Sequence, residues 1–506
     1  MIKYIGTRSL KNKKIPFSQA ILKTTDENSG LYVPTTIPHL SKKEIKKLLP
    51  LSYQELTYQV FKLFDVDFEE KELKNLINQA YADNFDTKEV IKLSQLDENT
   101  YLNELFHGPT VSFKDLALQI KPLLFSKALE KNKEKLDYLI LVATSGDTGS
   151  AALSGYKDKK NIKIIVLFPK NGVSSIQKLS MTTFEGKNLS SFEVEGNFDE
   201  IQKIVKNIFN DLQFNQFLKE KYKTVLSSAN SINLGRLIPQ IVYHLKAYFN
   251  LVKLKKINFG DRVDYVIPTG NFGNILASFY AKKMGLPINK LILANNINNS
   301  LTFAFKNGLY QTKENILKTI SPSIDIVVAS NFERLLFHLN PNPNTIKKMM
   351  NKFLKTKTLK LPKKIFQKIK TLFYANYSTE EETKKTIKEC FFKKKILIDP
   401  HTAVALNVYQ KYKKEFLPKV KAIIASTAAW YKFPQAVYQA IFEKEEKDDF
   451  KIINFFKNKI KDLKINPEIL NLPKKPIRLK KVLPKNEEKI REEIINFLNT
   501  FLKFFS

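Results

Sequence analysis

Cysteine is almost missing. Cys390 is the only one in 506 residues, so neither a disulfide framework within the chain nor a cysteine metal cluster is available. Histidine is scarce too. His39, His107, His244, His338 and His401 lie far apart, without the H-E-x-x-H spacing of a zinc helix, so no metal is expected. No apolar run approaches the roughly 20 residues that a membrane span needs, and no membrane partner is expected. The opening MIKYIGTRSLKNKK lacks the long apolar core of a secretory signal. These absences point to a soluble, cytoplasmic protein.

Arginine is the other shortage. Of 84 basic residues only six are arginine, namely Arg8, Arg236, Arg262, Arg334, Arg478 and Arg491. The formal net charge of +34 therefore comes from lysine, spread along the whole chain. A dedicated nucleic-acid surface would concentrate charge and favour arginine's bidentate fork. The excess reads instead as compositional drift, because lysine, isoleucine, asparagine and phenylalanine are abundant together, as AT-rich codons produce. No specific nucleic-acid partner is expected, and any such binding should vanish with modest salt.

Length alone implies two or three domains. Residues 1–95 are mixed, with GLYVP at Gly30–Pro34 and a helical pattern around Tyr53–Phe64. From about 96 to 440, short β-rich runs alternate with amphipathic stretches. These runs are Tyr138–Ala143, Lys163–Phe168, Ser191–Glu195, Asp264–Pro268, Lys290–Asn295 and Lys421–Ser426. Buried apolar strands alternating with helices predict an α/β fold with largely parallel sheets. Residues 332–395 are lysine-rich and read as a helical insertion without strands. Residues 441–506 form a lysine-rich tail, whose last part, NEEKIREEIINFLNTFLKFF, has the apolar spacing of a final docking helix.

Three loops follow strands or open helices in a way that suits anions. ATSGDTGSAALSG (Ala143–Gly155) places glycines and hydroxyls at a helix start, where backbone N–H groups bind phosphate or carboxylate. The plainer reading is a turn with Asp147 or Thr148 as N-cap. VIPTGNFGNILA (Val266–Ala277) sets Gly270, Asn271, Phe272, Gly273 and Asn274 between strand and helix. Lacking the full G-x-G-x-x-G, it suits one phosphate rather than a dinucleotide. SSANSINLGRLIPQ (Ser227–Gln240) crowds polar side chains before Arg236, which suits a second anion. A surface salt bridge is the plainer role for that arginine.

Residues 106–119 read FHGPTVSFKDLALQ. Ser112 and Asp115 have capping-box spacing, which would put Lys114 among the first residues of a helix. There the helix dipole and partial burial disfavour an ammonium. An uncharged amine is what a Schiff base with an aldehyde cofactor requires. Taken alone, a lysine at a helix start is normally solvated. Combined with the phosphate-suited loops, it points to pyridoxal 5′-phosphate.

FHGPTVSFKD, ATSGDTGSAA, SSANSINLGRLIPQ, VIPTGNFGNILA and SPSIDIVVASNFERLLF (Ser321–Phe337) closely resemble the threonine synthase family, pyridoxal-phosphate enzymes of fold type II. GLYVP resembles that family's opening segment, and the matches run in order from about residue 4 to 440. The resemblance implies two α/β subdomains, an N-terminal domain and a helical insertion. It implies conversion of O-phospho-L-homoserine and water to L-threonine and phosphate, the last step of threonine biosynthesis. Lys114 would hold the cofactor and shuttle protons, the Gly270–Asn274 loop would bind the cofactor phosphate, and Thr427 would face the ring nitrogen. Asp147 would meet the ring edge, with Thr144, Ser145, Gly146 and Thr148 at the substrate carboxylate. Ser228, Asn230, Asn233 and Arg236 would hold the substrate phosphate. Where the family reads T-A-H-P-A-K-F, this chain has Thr427-Ala428-Ala429-Trp430-Tyr431-Lys432-Phe433. Replacement of the His-Pro pair leaves a weakened or non-catalytic homologue as an alternative, beside a threonine/serine dehydratase-like lyase. The sequence leaves oligomeric state open.

Overall fold

The computed structural model describes residues 2–11, 13–312 and 316–502. They fall into two compact units. One combines the chain up to Ala117 with Ser231–Lys447, and the other combines Leu118–Asn230 with the chain from Asp448.

The first unit is built on a six-stranded sheet. Its order is Phe373–Tyr377, Ile288–Asn295, Val263–Pro268, Lys421–Ser426, Thr100–Glu104 and Lys92–Asp97. All neighbours are parallel except the last pair, an antiparallel hairpin. The strand Val263–Pro268 is buried at every position, as a central parallel strand covered on both faces must be. Near the N-terminus, Tyr4–Gly6 pairs antiparallel with Tyr32–Pro34. Helices Lys42–Leu48 and Tyr53–Leu63 each start in a capping box, Ser41 with Glu44 and Ser52 with Glu55.

The second unit has a five-stranded parallel sheet. Its order is Val482–Leu483, Leu189–Val194, Ile162–Pro169, Asp137–Ala143 and Thr224–Ser227. The tail does end in a helix, Glu487–Leu502. Ile490, Ile494 and Leu498, four residues apart, form its buried stripe against Ile201, Val205 and Ile208. Residues 503–505 of that stretch lie outside the described residues. No helix among the described residues is long and apolar enough to cross a membrane.

The insertion differs from the sequence expectation. It is mostly helical, with Phe332–Leu339, Pro343–Thr356, Lys363–Leu372 and Glu380–Glu389. It also holds two strands, Thr358–Lys360 and Phe373–Tyr377, and the second forms an edge of the six-stranded sheet. That strand is five residues long and only partly buried, so it lacks the apolar run that reveals a central strand.

Candidate active site

The parallel strands of the first unit share one carboxyl edge. Ser426 pairs with Glu104, and Ala294 with Pro268. Ligand sites of open α/β sheets form at such edges. The segment carrying Lys114, the glycine loop after Pro268, and Thr427 all leave from it.

The Lys114 segment is fastened by its backbone. Phe113 N–H donates to Thr427 O at 2.8 Å, and Ala429 N–H donates to Val111 O at 3.1 Å. Val111 sits at φ +51°, an outlier for a β-branched side chain that only surrounding bonds can hold. Only half of the expected capping box forms: the Asp115 carboxylate accepts from Ser112 N–H at 3.5 Å, while Ser112 Oγ has no hydrogen-bond partner among the described residues. The Asp115 carboxylate reaches back to Thr110, accepting from its N–H at 2.9 Å and its hydroxyl at 2.6 Å. Lys114 precedes a helix of only four residues, Asp115–Leu118, too short to supply the dipole invoked from sequence. Burial sets the environment instead, since Lys114 is 8% exposed. Its Nζ donates to Ser323 Oγ at 3.0 Å. Beneath it, burial raises the Asp115 carboxyl above its usual range against the opposing pull of Lys432. Lys432 Nζ donates to Thr110 O at 2.6 Å. Lys432 and the backbone at Thr427 and Ala429 therefore brace the loop. The Ala429–Trp430 change leaves those bonds in place.

The loop Gly270–Asn274 opens the helix Gly273–Lys283. Phe272, its N-cap, is left-handed at φ +65° and offers no side-chain cap, so first-turn N–H groups are left for a ligand. A Cβ on Gly270 would lie 2.5 Å from Ser323 O, so glycine is required there. His244 Nε2 approaches the Asn274 carbonyl at 3.1 Å and Oδ1 at 2.9 Å. A carbonyl only accepts, so Nε2 carries the proton, and burial holds this imidazole neutral by lowering it to about 3. Asn274 Nδ2 is buried with no hydrogen-bond partner among the described residues.

Arg236 lies in the first turn of the helix Leu234–Lys253 and is 4% exposed, which overturns the surface salt bridge. Asn233 is the N-cap; its Oδ1 accepts from Gly235 N–H at 2.9 Å and its Nδ2 donates to Ile21 O at 2.7 Å. This helix meets the glycine loop. A Cβ on Gly273 would have Gln240 Nε2 at 3.8 Å and Asn331 Nδ2 at 3.7 Å. Gln240 Nε2 in turn donates to Arg236 O at 2.5 Å. The first unit thus gathers Lys114, Gly270–Asn274, Thr427, Asn233 and Arg236.

The second unit holds the remaining expected residues. Neither Asp147 nor Thr148 is the N-cap of the helix Asp147–Tyr156. That position is Gly146, at φ +124°. Thr144 Oγ1 accepts from the N–H groups of Gly146 at 3.0 Å and Gly149 at 3.1 Å, which fixes the turn containing Ser145. Asp147 Oδ1 accepts from Gln177 Nε2 at 2.9 Å. Ser228 Oγ accepts from Asn230 N–H at 3.1 Å, and Ser228 O from Lys121 Nζ at 2.8 Å.

His107, in the same loop as Lys114, was not singled out from sequence. Nδ1 lies 2.6 Å from Asp86 Oδ1, and Nε2 lies 3.0 Å from Glu104 Oε2. Burial would lower its basicity, but the two carboxylates outweigh this and raise it above the usual 6.5. A raised imidazole stabilises the fold fully below its unfolded value, and that contribution is lost as pH rises through the folded value. The stability gap between wild type and His107→Gln should therefore narrow from pH 6 to alkaline pH, as followed by denaturant titration.

Comparison with known proteins shows the family. A family model described as "Threonine synthase N terminus" matches residues 3–81. "Pyridoxal-phosphate dependent enzyme" matches 88–426, and "Threonine synthase, C-terminal" matches 402–494. The Saccharomyces cerevisiae threonine synthase is 36% identical over 494 residues, covering 90% of this chain and 94% of that protein. The chain belongs to the threonine synthase family. Human threonine synthase-like 1 is 41% identical over 440 residues, 85% of this chain, and the chain spans 58% of that protein's length. The crystal structure of PLP-bound threonine synthase from Brucella melitensis superposes with a TM-score of 0.86 at 32% identity, covering 98% of this chain and 99% of that one.

The cofactor is pyridoxal phosphate, and the residues present fit it. A lysine amine suits its aldehyde, the uncapped helix start suits its phosphate, and Asn274 Nδ2 is a buried donor without an acceptor among the described residues. Family motifs had pointed to these loops. The sequence assigns no role to Ser323, His401, Asn331 and Lys432, which meet Lys114, Ser323, Asn271 and Thr110 across long stretches of chain. One local signal was readable: Asp399 before Pro400 is an N-cap followed by proline at N1.

Proposed function

We propose that the protein is a threonine synthase, converting O-phospho-L-homoserine and water to L-threonine and phosphate. One observation carries the choice of substrate. Arg236 is a buried cation in the first turn of a 20-residue helix. A buried guanidinium presents a rigid fork of donors, and a phosphate ester accepts charge-assisted bonds from it at two points. An unphosphorylated hydroxy amino acid offers no such group.

Lys114 would hold the cofactor through its amine, with the Gly270–Asn274 loop at the cofactor phosphate, Thr427 at the ring nitrogen and Asp147 at the ring edge. When bound, the cofactor ring supplies an electron sink for carbon acids at the substrate. The chain's own residues do the rest. Lys114 Nζ takes the α-proton and moves protons between substrate carbons. Arg236 carries the charge that grows on the departing phosphate. Asn233 positions Arg236 by capping its helix, and Ser228 and Asn230 add polar contacts for the same anion. Amides and hydroxyls of Thr144, Ser145, Gly146 and Thr148 would take the substrate carboxylate.

The test is phosphate release and threonine formation from O-phospho-L-homoserine by the cofactor-loaded wild type. Arg236→Ala should raise KM for that substrate about tenfold or more, the worth of a charged hydrogen bond. Turnover of unphosphorylated threonine or serine should be spared. Equal losses on both would favour a dehydratase-like lyase. The Ala429–Trp430 change favours a weakened enzyme as the second reading, which absent turnover with cofactor bound would support.

A further inference from the structure

The turn around Ser323 plays no part in the chemistry assigned so far, yet it meets the reactive amine. Lys114 Nζ donates to Ser323 Oγ at 3.0 Å. Ser323 is gripped from behind, because its N–H donates to His401 Nε2 at 3.1 Å. A backbone N–H can only donate, so Nε2 is the bare nitrogen and Nδ1 carries the proton. Nδ1 donates to Asp399 Oδ1 at 2.7 Å. The side chains of His401 and Asp399 are 2% and 0% exposed, so water does not compete for these bonds. Asp399 also caps the helix Pro400–Phe416, accepting from His401 N–H at 2.9 Å. The imidazole and its partner are thus fixed to a rigid element.

The other side of the turn is equally constrained. Ser323 O packs against Gly270, as the 2.5 Å approach of a virtual Cβ shows. Asn296 Nδ2 donates to Ser321 Oγ at 2.9 Å and to Asp325 Oδ1 at 2.7 Å. Thr319 N–H donates to Asp325 Oδ2 at 3.0 Å. A short turn is therefore locked against the glycine loop while presenting one hydroxyl to Lys114.

We propose that Ser323 is the acceptor that receives the Lys114 amine whenever that amine is not bonded to the cofactor. His401 and Asp399 are positioning residues that hold Ser323 in place. The inference rests on Lys114 being the residue that holds pyridoxal phosphate. A lysine side chain released from its linkage regains rotamer freedom. A fixed acceptor keeps the amine within reach, so that bonding again does not require a conformational search. A hydroxyl accepts the N–H without adding the negative charge with which a carboxylate would favour the ammonium form.

The experiment uses the full chain stripped of cofactor and no substrate. Pyridoxal phosphate is added, and the absorption of the lysine-linked cofactor is followed with time. Ser323→Ala should slow linkage about three- to tenfold, the worth of one hydrogen bond, and Ser323→Thr should restore it. His401→Ala should slow it similarly, and His401→Gln, whose amide oxygen can accept the Ser323 N–H, should recover much of the rate. Linkage at the wild-type rate in Ser323→Ala overturns the proposal. Slowing in Ser323→Ala but not in His401→Ala overturns the positioning role. Linkage that survives Lys114→Ala overturns instead the reading of Lys114 on which the inference stands.

Discussion

Lys114→Ala is expected to abolish phosphate release and threonine formation from O-phospho-L-homoserine, by about 10³-fold or more. In the proposed reaction the amine serves twice, as the group that holds the cofactor and as the base that moves protons, so its removal ends both roles. The fold should survive. The lysine packs at the end of a loop fastened by backbone bonds to Thr427 and Ala429, and its amine donates to the neutral hydroxyl of Ser323. Lys114→Arg should be nearly as inactive, because a guanidinium keeps the charge but is a poor nucleophile and base at neutral pH. A phosphate-release assay beside circular dichroism checks both points. Turnover retained in Lys114→Ala would remove the catalytic assignment.

Arg334→Ala is expected to destabilise the first unit by about 3–5 kcal/mol, combining a cavity with stranded polar groups. Arg334 is fully buried, and burial lowers its guanidinium to about 10, still charged at neutral pH. Nε donates to Tyr32 O at 2.9 Å, Nη2 to Ile232 O at 2.6 Å, and Nη1 to Asn331 Oδ1. Asn331 Nδ2 then donates to Asn271 O at 2.9 Å and Ser231 Oγ at 3.3 Å. One side chain thereby ties the N-terminal hairpin, the segment before Arg236 and the Gly270–Asn274 loop together. Next to it, Glu333 takes a two-point bond from Arg8, at 2.8 and 2.5 Å, an N-terminal clamp on the same helix. Two measurements should move together: the denaturation midpoint should fall, and the affinity for pyridoxal phosphate should weaken. Lost stability with unchanged cofactor affinity would show that the Asn331 link does not reach the loop.

The strands were legible because each is a short apolar run closed by a turn. Asp137–Ala143, Ile162–Pro169 and Val263–Pro268 are such runs, and burial of both faces leaves no polar alternation to confuse them. Phe373–Tyr377 was not legible, since an edge strand pairs on one side and keeps polar residues. The capping box at Ser112 was legible but only half formed. Its spacing was satisfied, yet the Asp115 carboxylate found a nearer donor set in Thr110. Arg236 carried a clear chemical hint in its rarity, whereas its burial came from the surrounding helices.

Local physics acts over a few residues, and that is the range over which the sequence alone decided matters. Apolar runs and glycine at strand-to-helix turns set the elements and the loops proposed to bind anions. Those loops, beside a lysine in a turn before a helical pattern, singled out Lys114. What that amine touches was decided only in three dimensions. Ser323 is 209 residues away, and His401 a further 78. Strand order determines which turns share the carboxyl edge of the sheet. No local pattern encodes that order, because it follows from which buried faces pack best among many distant candidates.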